Sequence, residues 1–233
     1  MSAARSWGLL VVRPEPGNTR TVARLRSGGG DVASLPLFAA APVAWEVPDP
    51  VHFDALLLTS ANAVRHTGDG LARLATLPVI AVGAETAAVA QAAGLGIAVT
   101  GDGGIADALA AAARAGLHRP LHLAGREHMP SGHPTAIVYA SADVAADPHD
   151  FATLASGRIV LLHSVRAARR VAGLVADTRQ ATGIAALSPA IRAAAGDGWA
   201  LALTAAMPTD AALCAMALER AIDPAAGGGD KRP

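Results

Sequence analysis

The feature that most constrains this chain is a corner that recurs along it: a short, wholly apolar run ends in Gly, Ser, Thr or Asn, and a helical pattern starts at once. Residues 54–64, DALLLTSANAV, show it most clearly. An apolar run without alternation fits a strand covered on both faces, the environment of a parallel sheet whose crossovers are helices. In that setting the end of the run lies outside the carboxyl edge of the sheet. It places Thr59, Ser60, Asn62 and Ala63 beside helix N–H groups that have no intrahelical partner.

The same pattern predicts strands at 7–12, 31–38, 54–59, 78–82, 96–100, 120–124, 135–140, 158–163, 183–188 and 199–204. Helices are expected at 18–27, capped by Asn18, and at 62–74, 85–93, 105–115, 165–175, 191–195 and 209–222. Strand and helix alternate as in βαβ units. One interval breaks the rule: GREHMPSGHP, residues 125–134, has two prolines and no helical pattern. It is shorter than the dozen or so residues of a usual parallel crossover, so the next strand is expected to connect irregularly or to pair antiparallel.

Two stretches lose the alternation, AAAPVAWEVPDP at 39–50 and the segment 137–149, and both read as linkers. The middle, 51–136, then forms one α/β domain, and 1–38 with 150–223 form another. A ligand cleft is expected between them. The tail 224–233, PAAGGGDKRP, is too poor in apolar residues to fold and is expected to be disordered.

Composition excludes several function classes. The chain is 52% apolar but only 3% aromatic, so its cores must be built from Ala, Val and Leu. A formal net charge of zero gives no general affinity for nucleic acid or an acidic membrane, so any anion site must be local. The lone Cys214, within AALCAMAL, reads as a buried, inert thiol. With no apolar run of membrane-spanning length and no signal-peptide pattern at the N-terminus, a cytoplasmic location is expected.

Backbone N–H groups at helix starts bind carboxylates and phosphates without special side chains, and a nearby Arg adds bidentate pairing. The corners VVRPEPGNT (11–19), LLTSANAV (57–64), AVGAETAA (81–88), HLAGRE (122–127), LLHSVRAA (161–168) and ALSPAIRA (186–193) all have this character. They supply Arg13, Gly83, Thr86, Gly125, Arg126, His163, Ser164 and Ser188 as further candidate ligands for an acidic small molecule. Ser, Thr and Asn are equally at home there as plain helix caps.

There is no GxGxxG after a strand, no P-loop, no GxSxG elbow and no CxxC pair. GDGG at 101–104 lacks the lysine of a phosphate loop and reads as a flexible turn. His118, His122, His128 and His133 match no zinc spacing, and a metal is not expected. Tyr139, the only tyrosine, stands near the second linker as either an amphipathic strand anchor or a general acid.

Taken together, RPEPGNT (13–19), LPLF (35–38), DALLLTSANAV, PVIAVGAETA (78–87), LHLAGRE (121–127), IVYA (137–140), ALSPAIRAAA (186–195) and AMPTDAAL (206–213) resemble the uroporphyrinogen-III synthase family. They fall in order across nearly the whole chain, and TSANAV and VGAETA are the more specific pieces. The resemblance implies two flavodoxin-like parallel-sheet α/β domains joined by a two-stranded linker, the first built from both chain ends. It implies closure of the linear tetrapyrrole hydroxymethylbilane into a ring, with loss of water and inversion of the last pyrrole through a spiro intermediate, and no cofactor.

By the same resemblance Tyr139 helps the hydroxyl leave, and Thr59, Ser60, Thr86, Gly125 and Ser188 bind. The implied partner is this small polycarboxylate, not nucleic acid or membrane, and a monomer is compatible with it. The chain departs from the family at His163, where an apolar or aromatic residue is usual before Ser-Pro, at Val165 in place of that proline, and in the short 125–134 segment. A second reading, from another class, is a two-domain protein that binds or senses an anion without chemistry.

Overall fold

The computed structural model describes residues 6–222, so the tail expected to be disordered, 224–233, lies outside the described residues. The strands are β1 (Gly8–Val11), β2 (Val32–Ser34), β3 (Phe38–Pro42), β4 (Ala55–Leu58), β5 (Val79–Val82), β6 (Ile97–Gly101), β7 (Pro120–Gly125), β8 (Thr135–Asp143), β9 (Arg158–Leu162), β10 (Gly183–Ala186) and β11 (Leu201–Thr204). The α-helices are α1 (Gly17–Ser27), α2 (Ala61–His66), α3 (Gly70–Leu74), α4 (Ala84–Ala92), α5 (Ile105–Arg114), α6 (Pro148–Ala155), α7 (Val165–Leu174), α8 (Pro189–Ala195) and α9 (Asp210–Ile222). The chain divides into two units, Met1–Ala39 with Asp143–Pro233, and Ala40–Ala142. It passes from one to the other within β3 and β8.

The sheet of the first unit has the order β11-β10-β9-β1-β2, with every neighbouring pair parallel. Counted within the unit, that is the flavodoxin order. Side-chain alternation sends Leu9, Val11, Ile159 and Leu161 into a core with Leu213, Cys214 and Ala217 of α9. Leu10, Val160, Leu162 and Ile184 go to the opposite face with Phe151 of α6 and Val171 of α7. Apolar residues are therefore needed at consecutive strand positions, which is why these runs do not alternate. Each fully buried leucine contributes roughly 1.5–3 kcal/mol.

The sheet of the second unit has the order β3-β8-β7-β4-β5-β6. The pairs β4–β5, β5–β6, β4–β7 and β7–β8 are parallel. Its strands therefore grow outward from β4 in one direction through β5 and β6, then in the other through β7 and β8. The flavodoxin order expected for both sheets holds in the first and not in the second. This arrangement puts the topological switch point, where ligands of open α/β sheets bind, between the carboxyl ends of β4 and β7.

Leu56, Leu58, Val79, Leu121 and Leu123 pack under α2, α3 and α4, whereas the other face is a smaller core of Ala55, Leu57 and Ile80 under α5. That face is smaller because residues 126–134 contain no helix. Of the two alternatives for this interval, the irregular connection is the one found, and β8 still pairs parallel to β7.

Several local expectations are corrected. Asn18 does not cap α1. It is buried within the helix, and its amide donates to the Arg13 carbonyl at 3.0 Å while its oxygen accepts from Ser34 at 2.7 Å. The strand expected at 31–38 is two strands, broken around Pro36, which has no N–H for a ladder. The helix expected at 62–74 breaks at Thr67–Gly68–Asp69, where Gly68 has φ +64°. Helix α6 begins at the end of the expected linker and runs through 150–155, where no helix was expected: Asp147 caps it, accepting from the N–H groups of His149 at 2.9 Å and Asp150 at 3.0 Å, with Pro148 at the first position.

Candidate functional site

A cavity of about 660 Å³ opens at the switch point of the second unit. Thr59 and Ser60 line it from the end of β4, Gly125 from the end of β7, and Tyr139 from β8. The start of α5 contributes Gly104, Ile105, Ala106 and Leu109, and the helix-free connection contributes Glu127 to Ser131. The sequence reading and the geometry thus share Thr59, Ser60, Gly125 and Tyr139.

Tyr139 sits directly over Gly125. A Cβ at Gly125 would come within 2.6 Å of the ring Cζ and 2.9 Å of the hydroxyl oxygen, so the close approach itself requires glycine. The Arg126 N–H donates to the Tyr139 carbonyl at 2.9 Å, fixing the backbone on which the ring stands. His66 lies beside it with ring centroids 6.0 Å apart. A register shift between Ala124 and Gly125 brings Gly125 opposite Tyr139.

Helix starts in this unit fall into two kinds. Ser60 caps α2 by accepting from the Asn62 N–H at 3.2 Å, so its oxygen already serves the helix. Helices α4 and α5 are preceded by glycines with positive φ, Gly83 at +90° and Gly104 at +101°, and neither has a side-chain cap. The first turn of α5 therefore lines the cavity at Gly104, Ile105 and Ala106 with no side chain capping its N–H groups, which suits an anion. The GDGG segment, expected to be a flexible turn, ends in the Gly104 that starts this helix. A glycine just before an apolar helical run is the sequence signal that could have identified it.

The remaining candidates of this unit do not line the cavity. Asn62 accepts from Arg65 at 3.3 Å, Ala63 is fully buried, Thr86 is buried on α4, and Arg126 points to solvent. The cavity lining has no arginine or lysine, and its charged carboxylate is Glu127. A carboxylate ligand would be held there by backbone N–H groups and hydroxyls.

Behind the lining lies His122 on β7, wholly buried, with Nε2 3.1 Å from Thr59 Oγ1. Burial, with the neighbouring His128 and His133, lowers its pKa to about 4. His128 stacks edge-on against it at 5.5 Å, and its Nδ1 donates to the Gly125 carbonyl at 2.9 Å. Nothing in the sequence singled out His122 from the other histidines.

In the first unit the switch point lies between β1 and β9, and there Arg13 and His163 meet on one carboxylate, Asp210 at the start of α9. His163 Nε2 donates to it at 2.9 Å, Thr21 at 2.7 Å and Arg13 at 3.2 Å, and Arg24 pairs with its other oxygen. Burial raises the Asp210 carboxyl, but the Thr21 and His163 hydrogen bonds and the charges of His163 and Arg13 outweigh it and hold the pKa below the usual value. Burial lowers His163, aided by Arg13 and opposed by Asp210. Arg13 and His163 thus have an internal partner.

Ser164 and Ser188 cap α7 and α8, accepting from Ala167 at 3.1 Å and Ile191 at 3.4 Å. Asp210 was missed as a site residue although it follows Thr209, whose hydroxyl accepts from the Ala212 N–H at 3.2 Å. The sequence pattern reads as a capped helix start, and only folding reveals the cations around it. Cys214 is buried and unpaired, with burial and then Asp210 pushing its thiol up to about 11.

Among the described residues, no group of three or more His, Cys, Asp and Glu could hold a metal ion, and no helix is long and apolar enough to cross a membrane.

Comparison with known proteins adds a likeness to one family over part of the chain. No curated protein matches this chain. The uroporphyrinogen-III synthetase of Helicobacter pylori has a solved structure at TM-score 0.54, with 17% identity, 91% of this chain and 99% of that chain covered. At this identity the match shows a shared fold. The uroporphyrinogen III synthase of Thermus thermophilus aligns at TM-score 0.39, 17% identity, over 93% of this chain and 100% of that one. The family model described as uroporphyrinogen-III synthase HemD matches residues 19–131, a stretch that includes the TSANAV and VGAETA corners and every cavity-lining residue except Tyr139. Through that matched segment, just under half of its length, the chain is similar to the uroporphyrinogen-III synthase family.

Proposed function

We propose that this protein is a uroporphyrinogen-III synthase, a lyase that closes hydroxymethylbilane into uroporphyrinogen III with loss of water and inversion of the terminal pyrrole. The observation that carries the reading is the match of the synthase family model to residues 19–131, the segment that supplies nearly all of the cavity at the β4–β7 switch point.

The proposed chemistry is mainly positioning. The linear substrate loses its hydroxyl readily, and free closure joins the nearer carbon of the terminal ring. The enzyme must hold the ring so that the other carbon meets the electrophile, which orientation alone can favour by several kcal/mol. The Thr59 hydroxyl and the α5 N–H groups hold substrate carboxylates. Tyr139 gives a proton to the departing hydroxyl, which leaves as water, and it recovers a proton when the terminal ring rearomatises.

The test is to supply fresh hydroxymethylbilane and identify the uroporphyrin isomers after oxidation. Isomer III is expected in excess with the protein and isomer I without it. If isomer I accumulates at the same rate in both, the synthase reading is lost, and measured substrate binding without turnover would leave an anion-binding protein in its place.

A further inference from the structure

His122 occupies a place where a strand residue would ordinarily be apolar. It faces Leu57 across the β4–β7 ladder, on the sheet side covered by α5 and by the helix-free connection. It is 0% exposed, its Nε2 is 3.1 Å from Thr59 Oγ1, and its Nδ1 has no hydrogen-bond partner among the described residues. A neutral imidazole has one donor and one acceptor nitrogen. With the proton on Nδ1, a buried N–H would have no acceptor, which folded proteins rarely tolerate. With it on Nε2, only a bare acceptor is left over, a milder cost.

The choice of tautomer decides what Thr59 can do. If His122 donates, Thr59 Oγ1 accepts and its own proton is not held by the imidazole. If His122 accepts, that proton is turned inward and the cavity meets only lone pairs, which repel a carboxylate. We propose that His122 is a positioning residue which, as the Nε2–H tautomer, donates to Thr59 Oγ1 and turns the Thr59 hydroxyl proton into the cavity to bond a substrate carboxylate. This rests on reading the cavity as the hydroxymethylbilane site.

Two measurements on the full chain test it. The first is the ¹⁵N shift pair of the His122 ring, read without substrate. A protonated Nε2 with a bare Nδ1 is expected; the opposite tautomer, or an imidazolium at neutral pH, overturns the assignment. The second is a kinetic cycle. Thr59→Val should raise KM about tenfold and His122→Phe about threefold, the span of one hydrogen bond. His122→Phe in the Thr59→Val background should add nothing, and His122→Gln, which can place an amide donor near Nε2, should restore most of the loss. Effects of Thr59 and His122 that multiply, or a His122→Phe protein with unchanged KM, overturn the proposal. Wild-type protein that forms no isomer III overturns the functional reading instead, and the ring shifts still decide the tautomer.

Discussion

Gly125→Ala tests the contact on which the proposed acid depends. The added methyl would lie 2.6, 2.7 and 2.9 Å from Cζ, Cε2 and the hydroxyl oxygen of Tyr139. Carbon atoms pack at about 3.5–4.0 Å, so the overlap approaches 1 Å on three atoms of a stiff ring. The strand bearing Tyr139 is held to β7 by its ladder and by the Arg126 N–H, so the backbone cannot simply move away. Overpacking of this kind costs about 1–3 kcal/mol. In a unit of roughly a hundred residues, each kcal/mol lowers Tm by about 4–8 °C. The variant's second unit should therefore melt several degrees earlier by calorimetry, and a displaced hydroxyl should slow isomer III formation on the order of 10²-fold. In a Tyr139→Ala background the same substitution should be nearly neutral, because the ring it strikes is gone. A Gly125→Ala protein as stable and as active as the parent, or an equal cost in both backgrounds, would refute the contact.

Other outcomes follow from the same geometry. Tyr139→Phe should slow turnover by about 10²-fold while leaving isomer III as the product, and complete loss in a folded variant would make acid catalysis obligatory rather than auxiliary. Asp147→Ala removes the cap of α6 and should cost about 1 kcal/mol in urea denaturation, with no loss contradicting the two hydrogen bonds seen there. His122 is neutral in the folded protein down to about pH 4 but titrates at 6.5 when unfolded, so the unfolded state binds more protons between those values and stability falls as pH drops. The loss should reach on the order of 3 kcal/mol by pH 4 and be absent in His122→Phe. Parallel stability–pH curves for the two proteins would be the contrary result.

Most strands of this fold were legible because burial on both faces leaves an unbroken apolar run, as in ALLL of β4 and IVLL of β9. Helix α6 was missed although Asp-Pro at its start is a strong cap signal, because that signal was read as the end of a linker and the short stretch after it, 150–155, was assigned no element. The candidate site was half legible. Thr59, Ser60, Gly125 and Tyr139 reach the cavity because strand ends fix where such residues emerge. Ser60, Ser164 and Ser188 have the same local pattern and all cap helices, since a cap and an anion ligand use the same atoms; of the three, Ser60 also lines the cavity.

By itself, the sequence determined that this is an α/β chain of repeated strand-to-helix corners, because hydrophobic periodicity is written locally. The tertiary structure decided strand order, and with it the site. The order β3-β8-β7-β4-β5-β6 brings Thr59 beside His122 and Gly125 under Tyr139, and the first sheet gathers Arg13, Thr21, Arg24 and His163 around Asp210. These partners lie far apart in sequence, and no local pattern encodes which strand follows which across a sheet.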